Sequence, residues 1–346
     1  MGSWCVIGLA ALAVSAGGVA AQDVLLIPDS EADSVWAFDA FDGSLLTNSY
    51  ITDPGSAGGV DVFNRPIEVL LAQSGNLLVT DQFADVVSEF TPDGSFVGVF
   101  SLGGVRDTQL MDNIRGGHVL GSGPDAGDVL VCNAGGTNAL LVSQSNVKRL
   151  DPADGSEQSD FAFNRYGGIR GPFDAIEYKG FLLVCDESAD AIARYNLSGK
   201  FVDRFVSSFT VPDLEFPQQM AIASGGTLLV CEFSNGVIYE FAPDGTLVGQ
   251  YDPGTLDLYR GIAELGNGNL LVTTTSGVFE VTRAGTVVET EAAGGGFRYV
   301  TPFTPPAGLR LAAPPRVDNR PVTDPRTREQ IIAQERGEVV NQEDAR

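Results

Sequence analysis

The apolar positions of this chain fall into one phrase that returns six times. Leu77-Leu78-Val79-Thr80-Asp81, Val129-Leu130-Val131-Cys132-Asn133, Leu182-Leu183-Val184-Cys185-Asp186, Leu228-Leu229-Val230-Cys231-Glu232 and Leu270-Leu271-Val272-Thr273-Thr274 align without gaps, and Leu25-Leu26-Ile27-Pro28-Asp29 is the sixth copy. Each is a short apolar run closed by an acidic or small polar residue, followed by a polar turn and a second strand-like run. From Leu25 through Leu77, Val129, Leu182, Leu228 and Leu270 the spacings are 52, 52, 53, 46 and 42 residues. Periods of that size with strand-turn-strand content predict propeller blades of four strands, and hence an all-β class.

The fifth copy shows the order most clearly. Residues 219–224 predict an inner strand, 227–232 the second, 237–241 the third and 246–251 the fourth, with Asn235-Gly236 and Asp244-Gly245 as hairpin turns. The first copy has strands at 23–27, 34–39 and 44–50 but nothing to serve as its inner strand, while residues 297–303 follow the last copy as an orphan strand. The two irregularities answer each other. The orphan is expected to complete the first blade and close a six-bladed ring of four-stranded antiparallel sheets, protecting edges that an open array would expose.

Outside the ring the composition changes. Residues 1–21 hold an uncharged apolar run ending Val19-Ala20-Ala21, which reads as a secretory leader, although no Lys or Arg precedes the run. The domain expectation is therefore a removed leader at 1–21, the propeller at 22–303 and a Pro-rich, charged tail at 304–346. In the tail, Asp324-Pro325 predicts the start of a short helix through Arg328, Ile331, Ile332 and Glu335, with too little apolar surface to dock strongly on its own.

The formal net charge is −24, and the tail is neutral, with seven Arg against seven Asp plus Glu, so the whole excess sits on the repeats. Such a surface repels nucleic acid and anionic lipid and keeps a monomeric, secreted or periplasmic protein soluble. Cys132, Cys185 and Cys231 all occupy one repeat position. Equivalent positions in neighbouring blades lie roughly 10 Å apart, beyond the ~7 Å that a disulfide spans, so three buried free thiols are expected.

Candidate chemistry collects at one mouth of the ring. The residue closing each apolar run belongs to the loop after the second strand, which places Asp29, Asp81, Asn133, Asp186 and Glu232 around that mouth. The loop entering each inner strand reaches the same face and carries Arg65, Arg115, Arg170, Arg260 and Arg298; only the fifth blade departs, with Gln218 or Gln219. Guanidinium groups in a ring suit a carboxylate, sulfate or phosphate ligand. The competing arrangement has each Arg paired with a nearby acid, pinning neighbouring blades.

Phe216-Pro217-Gln218-Gln219-Met220-Ala221-Ile222-Ala223 and Tyr259-Arg260-Gly261-Ile262-Ala263 precede the apolar strands, and Phe90-Thr91-Pro92-Asp93-Gly94 and Phe241-Ala242-Pro243-Asp244-Gly245 follow the turns. In these phrases residues 23–303 resemble the NHL-repeat group of six-bladed propellers and its relatives, among them the SMP-30-like lactonases and the streptogramin lyases. The resemblance implies a fold more than an activity, since the group mixes enzymes with binding scaffolds. It also implies where a Ca²⁺ or Mg²⁺ would sit: on inner-strand oxygen ligands, here Glu68, Asp174 and Glu264, with Gln219 also available. His118, the single histidine, is the candidate general base, as the streptogramin lyases use one. Two functions follow as expectations. One is an exported scaffold that binds a small anionic molecule or a protein partner at the mouth, with Arg65, Arg115, Arg170, Arg260, Arg298, Asp81, Asp186 and Glu232 as ligand-binding residues. The alternative is a divalent-metal-dependent lactonase, hydrolase or lyase.

Overall fold

Six four-stranded antiparallel sheets surround a central axis in the computed structural model, which describes residues 23–135, 145–163, 168–256, 258–311 and 326–336. The leader expected at 1–21 lies outside the described residues. Blade five shows how closely the sequence pattern sets the strands: they run Pro217–Ile222, Leu228–Glu232, Val237–Phe241 and Leu247–Tyr251. Each repeated phrase is the second strand of its blade. It is apolar throughout because both of its faces are covered, and Leu182/Val184 and Leu183/Cys185 duly fall into different apolar clusters on opposite sides of blade four. Six such clusters fill the six blade interfaces. The alternating side-chain directions of a strand feed two clusters from one run. Outer strands such as Leu247–Tyr251 are half-exposed, as the rim of a ring must be.

Closure is made by the chain ends. Thr301–Phe303 lies antiparallel to Val24–Asp29, with Val24 opposite Phe303 and Leu26 opposite Thr301, and Asp29 bridges Phe297. Phe297 is fully buried and meets Trp36 edge-on at 4.9 Å between ring centroids. The regular part of this strand is shorter than the seven residues the sequence suggests: Arg298 N–H still donates to Pro28 O of blade one (2.9 Å), but Tyr299 N–H donates to Ile67 O of blade two (3.1 Å) and Val300 N–H to Gln219 Oε1 of blade five (2.9 Å).

Two features were not legible beforehand. A small hairpin, Ser56–Ala57 with Val60–Asp61, decorates the link from blade one to blade two. More consequentially, the inner strands of blades two to five each break register near their start, between Pro66 and Glu68, Ile114 and Gly117, Pro172 and Ala175, and Pro217 and Met220. A bulge re-aims side chains. Here it directs Glu68, Asp174 and Gln219 across the channel, and at Gly116 it leaves no room for a Cβ, which would fall 2.5 Å from Glu68 Oε2. The Asp-Gly turns between third and fourth strands also pack tightly: a Cβ on Gly94, whose φ is +84°, would fall 2.2 Å from Tyr50 O in the preceding blade. Cys132, Cys185 and Cys231 are buried free thiols, and burial pushes each thiol well above its usual range.

Candidate functional site

The acids that close the repeated phrases serve the backbone. Asp81 Oδ2 accepts the N–H groups of Asn64 and Arg65 (both 2.8 Å), and its Oδ1 accepts those of Phe83 (3.1 Å) and Ala84 (2.8 Å). Asp186 accepts from Arg170 and Gly171, and Glu232 from Phe216, Ser234 and Asn235. Loop N–H groups must find acceptors when buried, and a short acid at this position reaches both loops of the mouth at once. Burial nonetheless raises these carboxyls, Asp81 and Asp186 to about 6 and Glu232 to about 7. They staple the loops together, and among the described residues no blade carboxylate forms a salt bridge with Arg65, Arg260 or Arg298.

The arginines find their partner in the tail. Helix α1, Arg328–Arg336, lies over the mouth, with Ile331 packed into the apolar cluster that holds Phe216 and Phe233. One turn later on the same face comes Glu335, only 2% exposed. Its carboxylate receives Arg65 Nη2 at 3.0 Å, Arg260 Nε at 2.5 Å, and Arg298 Nη1 on both oxygens, at 2.7 Å from Oε2. Arg298 also donates to Ser30 Oγ, and Arg260 to Gly295 O. Three guanidinium groups hold the Glu335 carboxyl far below the usual carboxylate range, against the effect of burial. Burial and mutual repulsion with Arg298, Arg260 and Arg115 push Arg65 well below its ordinary value as well. Arg115 and Arg170 stand apart from this cluster. Arg115 is buried over the Phe173 ring, and Arg170 is exposed.

Helix α1 differs from expectation in two respects. Its start is set by Thr327 and Gln330, which bond reciprocally: Thr327 N–H to Gln330 Oε1 (2.8 Å) and Gln330 N–H to Thr327 Oγ1 (3.2 Å). Asp324 and Pro325 lie outside the described residues. The helix docks despite its small apolar face, because charge supplies the hold: besides Glu335, Arg336 Nε meets Glu187 Oε1 at 2.5 Å and Arg328 donates to Ser234 O. Among the sequence candidates Glu335 appeared only as a helix residue. Its signal was the spacing of Ile331 and Glu335, four apart on one face.

Deeper in the channel the bulged residues join the blades. Glu68 Oε2 accepts Gly117 N–H, Asp174 accepts Met220 and Ala175 N–H, and Gln219 Oε1 accepts Ile262 and Val300 N–H. Burial and mutual repulsion raise the Glu68 carboxyl well above its usual value, and burial raises Asp174. They and His118 line a cavity of about 610 Å³ at the opposite mouth, walled by Leu70, Ile222 and Pro302. His118 Nε2 accepts Glu177 N–H (3.3 Å), so its proton sits on Nδ1, and burial lowers its pKa to about 4. Glu264 reaches that cavity but is bound to Arg283 Nη1 (2.9 Å) and Ser224 N–H. Glu68 and Asp174 are thus brought together and Glu264 is committed elsewhere. Among the described residues no three acids, histidines or cysteines are arranged to hold a metal ion. As a set, Glu68, Asp174 and Glu264 do not fit a hard cation, which wants six to eight oxygens free to turn toward it.

No family model matches this chain, and no curated protein matches it. Solved structures do. The nidogen/laminin complex aligns with a TM-score of 0.60 at 12% identity, covering 81% of this chain and 98% of that one. A catalytically inactive virginiamycin B lyase from Staphylococcus aureus, solved with quinupristin, gives 0.52 at 15%, covering 82% and 93%. A gluconolactonase from Xanthomonas campestris gives 0.51 at 16%, covering 85% and 97%. The chain is a six-bladed β-propeller. At these identities the likeness is one of fold, and the propellers it resembles include both binding proteins and enzymes.

Proposed function

We propose that this chain is an exported propeller of the NHL-repeat type that recognises a carboxylate presented by a protein partner at its arginine-lined mouth, with its own tail as resident occupant. The observation that supports this is the single buried carboxylate of Glu335 shared by Arg65, Arg260 and Arg298. Three like charges converging from three blades repel one another and call for an anion. The blades supply none there, since their own acids are spent on backbone N–H groups. Helix α1 is a short ligand held by few apolar contacts, the kind of occupant that another helical segment with an acid on its face can replace. A synthetic peptide copying residues 326–336 tests this. Added to the Glu335→Gln protein, it should bind saturably, with Kd in the micromolar range, and the same peptide carrying Gln at that position should bind at least tenfold more weakly. Equal binding of the two peptides, or none, removes carboxylate recognition from the mouth.

A catalytic reading has one observation in its favour: Glu68, Asp174 and His118 line the same cavity at the opposite mouth. A carboxyl pair whose ionisation is opposed by burial and a buried imidazole are components of proton transfer. A lactonase-type metal would need the pair ionised and Glu264 released from Arg283. Melting followed on adding Ca²⁺ and then EDTA separates the cases: a rise reversed by EDTA supports metal-dependent chemistry, and an unchanged curve counts against it.

A further inference from the structure

Beside helix α1 lies a second, smaller cavity of about 410 Å³, lined by Arg115, Arg170, Phe173, Glu187, Asp190 and Arg336. At ~30 Å³ per water it has room for roughly a dozen water-sized groups, more than a simple ion needs. Its lining is polar, and its charges are unevenly answered. Glu187 is already bound by Arg336 and by Ser188 Oγ. Arg170 is exposed, its backbone held by Asp186. Arg115 is 1% exposed, stacked 4.6 Å over the Phe173 ring, and donates through Nη1 to Asn113 Oδ1. Its Nε and Nη2 have no hydrogen-bond partner.

Those two donors share one edge of the guanidinium, the side-on fork that grips both oxygens of a planar carboxylate. Leaving buried donors unmade is costly, and burial has already pushed Arg115 down to about 10 while leaving it charged at neutral pH. We infer that this cavity is a binding site for a small organic acid, its carboxylate held by Arg115 and Arg170 and a hydroxyl on the same molecule facing Asp190. The site is separate from the Glu335 cluster and does not depend on partner recognition there. It does depend on helix α1 being in place, because Arg336, the last residue of the helix, forms part of its wall. A ligand here therefore favours the docked tail, whereas a carboxylate that replaces Glu335 releases it.

The experiment is calorimetric titration of the full chain with citrate and with inorganic phosphate, against NaCl of matched ionic strength, paired with hydrogen exchange of residues 328–336. Saturable citrate binding in the submillimolar range is expected, tighter than phosphate, with slower exchange in the helix. Arg170→Ala, at an exposed position, should weaken binding at least tenfold. Arg115→Lys, which keeps the charge and loses the two-donor edge, should do the same. No binding above the NaCl control, phosphate binding tighter than citrate, or unchanged affinity in Arg170→Ala overturns the assignment. Binding that speeds helix exchange also overturns it, and places the citrate on Arg65, Arg260 and Arg298 instead.

Discussion

Replacing Glu335 by Gln is expected to free helix α1 while the ring stays folded. The substitution keeps the shape of the side chain and removes the one charge that answers Arg65, Arg260 and Arg298. Losing one partner of a buried ion pair costs about 3–5 kcal/mol, and the apolar contacts of the helix, centred on Ile331, are too few to offset that. The helix should therefore let go, water should reach the arginines, and amide exchange over 328–336 should rise by at least a hundredfold. The melting temperature of the ring should fall by only a few degrees, since the six blade interfaces do not include Glu335. Acid should produce the same release in the unmodified chain. The Glu335 pKa is depressed on folding, so its contribution is fully present above its unfolded value near 4.5 and is lost as pH falls below that. Asp81, Asp186 and Glu232 are raised on folding, so their contribution runs the opposite way: it is present at low pH and lost as pH climbs toward about 6 to 7. Acidification from pH 6 to pH 3 should thus begin to loosen the tail before it disturbs the loops, the loss running on as pH falls toward the much lower folded value. Unchanged exchange of 328–336 in Glu335→Gln would show that the helix is held by something other than this cluster.

The second large effect concerns closure. Phe297→Ala empties a fully buried site between Trp36 and Phe38 in the interface that joins the last blade to the first. A buried Phe→Ala change costs about 3–5 kcal/mol, and at about 2–4 °C per kcal/mol for a domain somewhat smaller than this one the midpoint should drop by roughly 10 °C. A chain ending at residue 296 should fare worse. It loses the strand that pairs with Val24–Asp29, the Tyr299 and Val300 bonds to blades two and five, and the arginine at position 298 together. Trp36 is one of two tryptophans in the chain, the other being Trp4, and its emission reports on this interface. Cooperative unfolding of the shortened chain at an unaltered midpoint would show that the ring does not need the C-terminal strand.

The strands and their order were readable because each is specified by residues next to one another. A run such as Leu182-Leu183-Val184-Cys185 is apolar at every position because odd and even side chains enter two different blade interfaces, and that requirement is written locally. Closure was readable as a matter of parts, one strand missing at the start and one left over at the end. The bulges were not. They show in the sequence only as a drift in the spacing between each mouth arginine and the apolar run that follows it, and that drift does not say which side chain swings into the channel. The allegiance of the mouth acids was not visible, since an Asp in a tight loop can serve either a backbone N–H or a guanidinium.

The sequence by itself determined a closed ring of six blades, the face on which arginines and acids gather, and a short helix in the tail with Ile331 and Glu335 on one side. Only the tertiary structure decided that Glu335, 270 residues from Arg65, is the group that answers the arginines, and that Arg115 keeps two donors unspent beside a cavity. Strand formation follows from neighbours along the chain and leaves a periodic trace. A buried charge is answered by whichever opposite charge the finished fold carries to it, and that choice leaves no period to read.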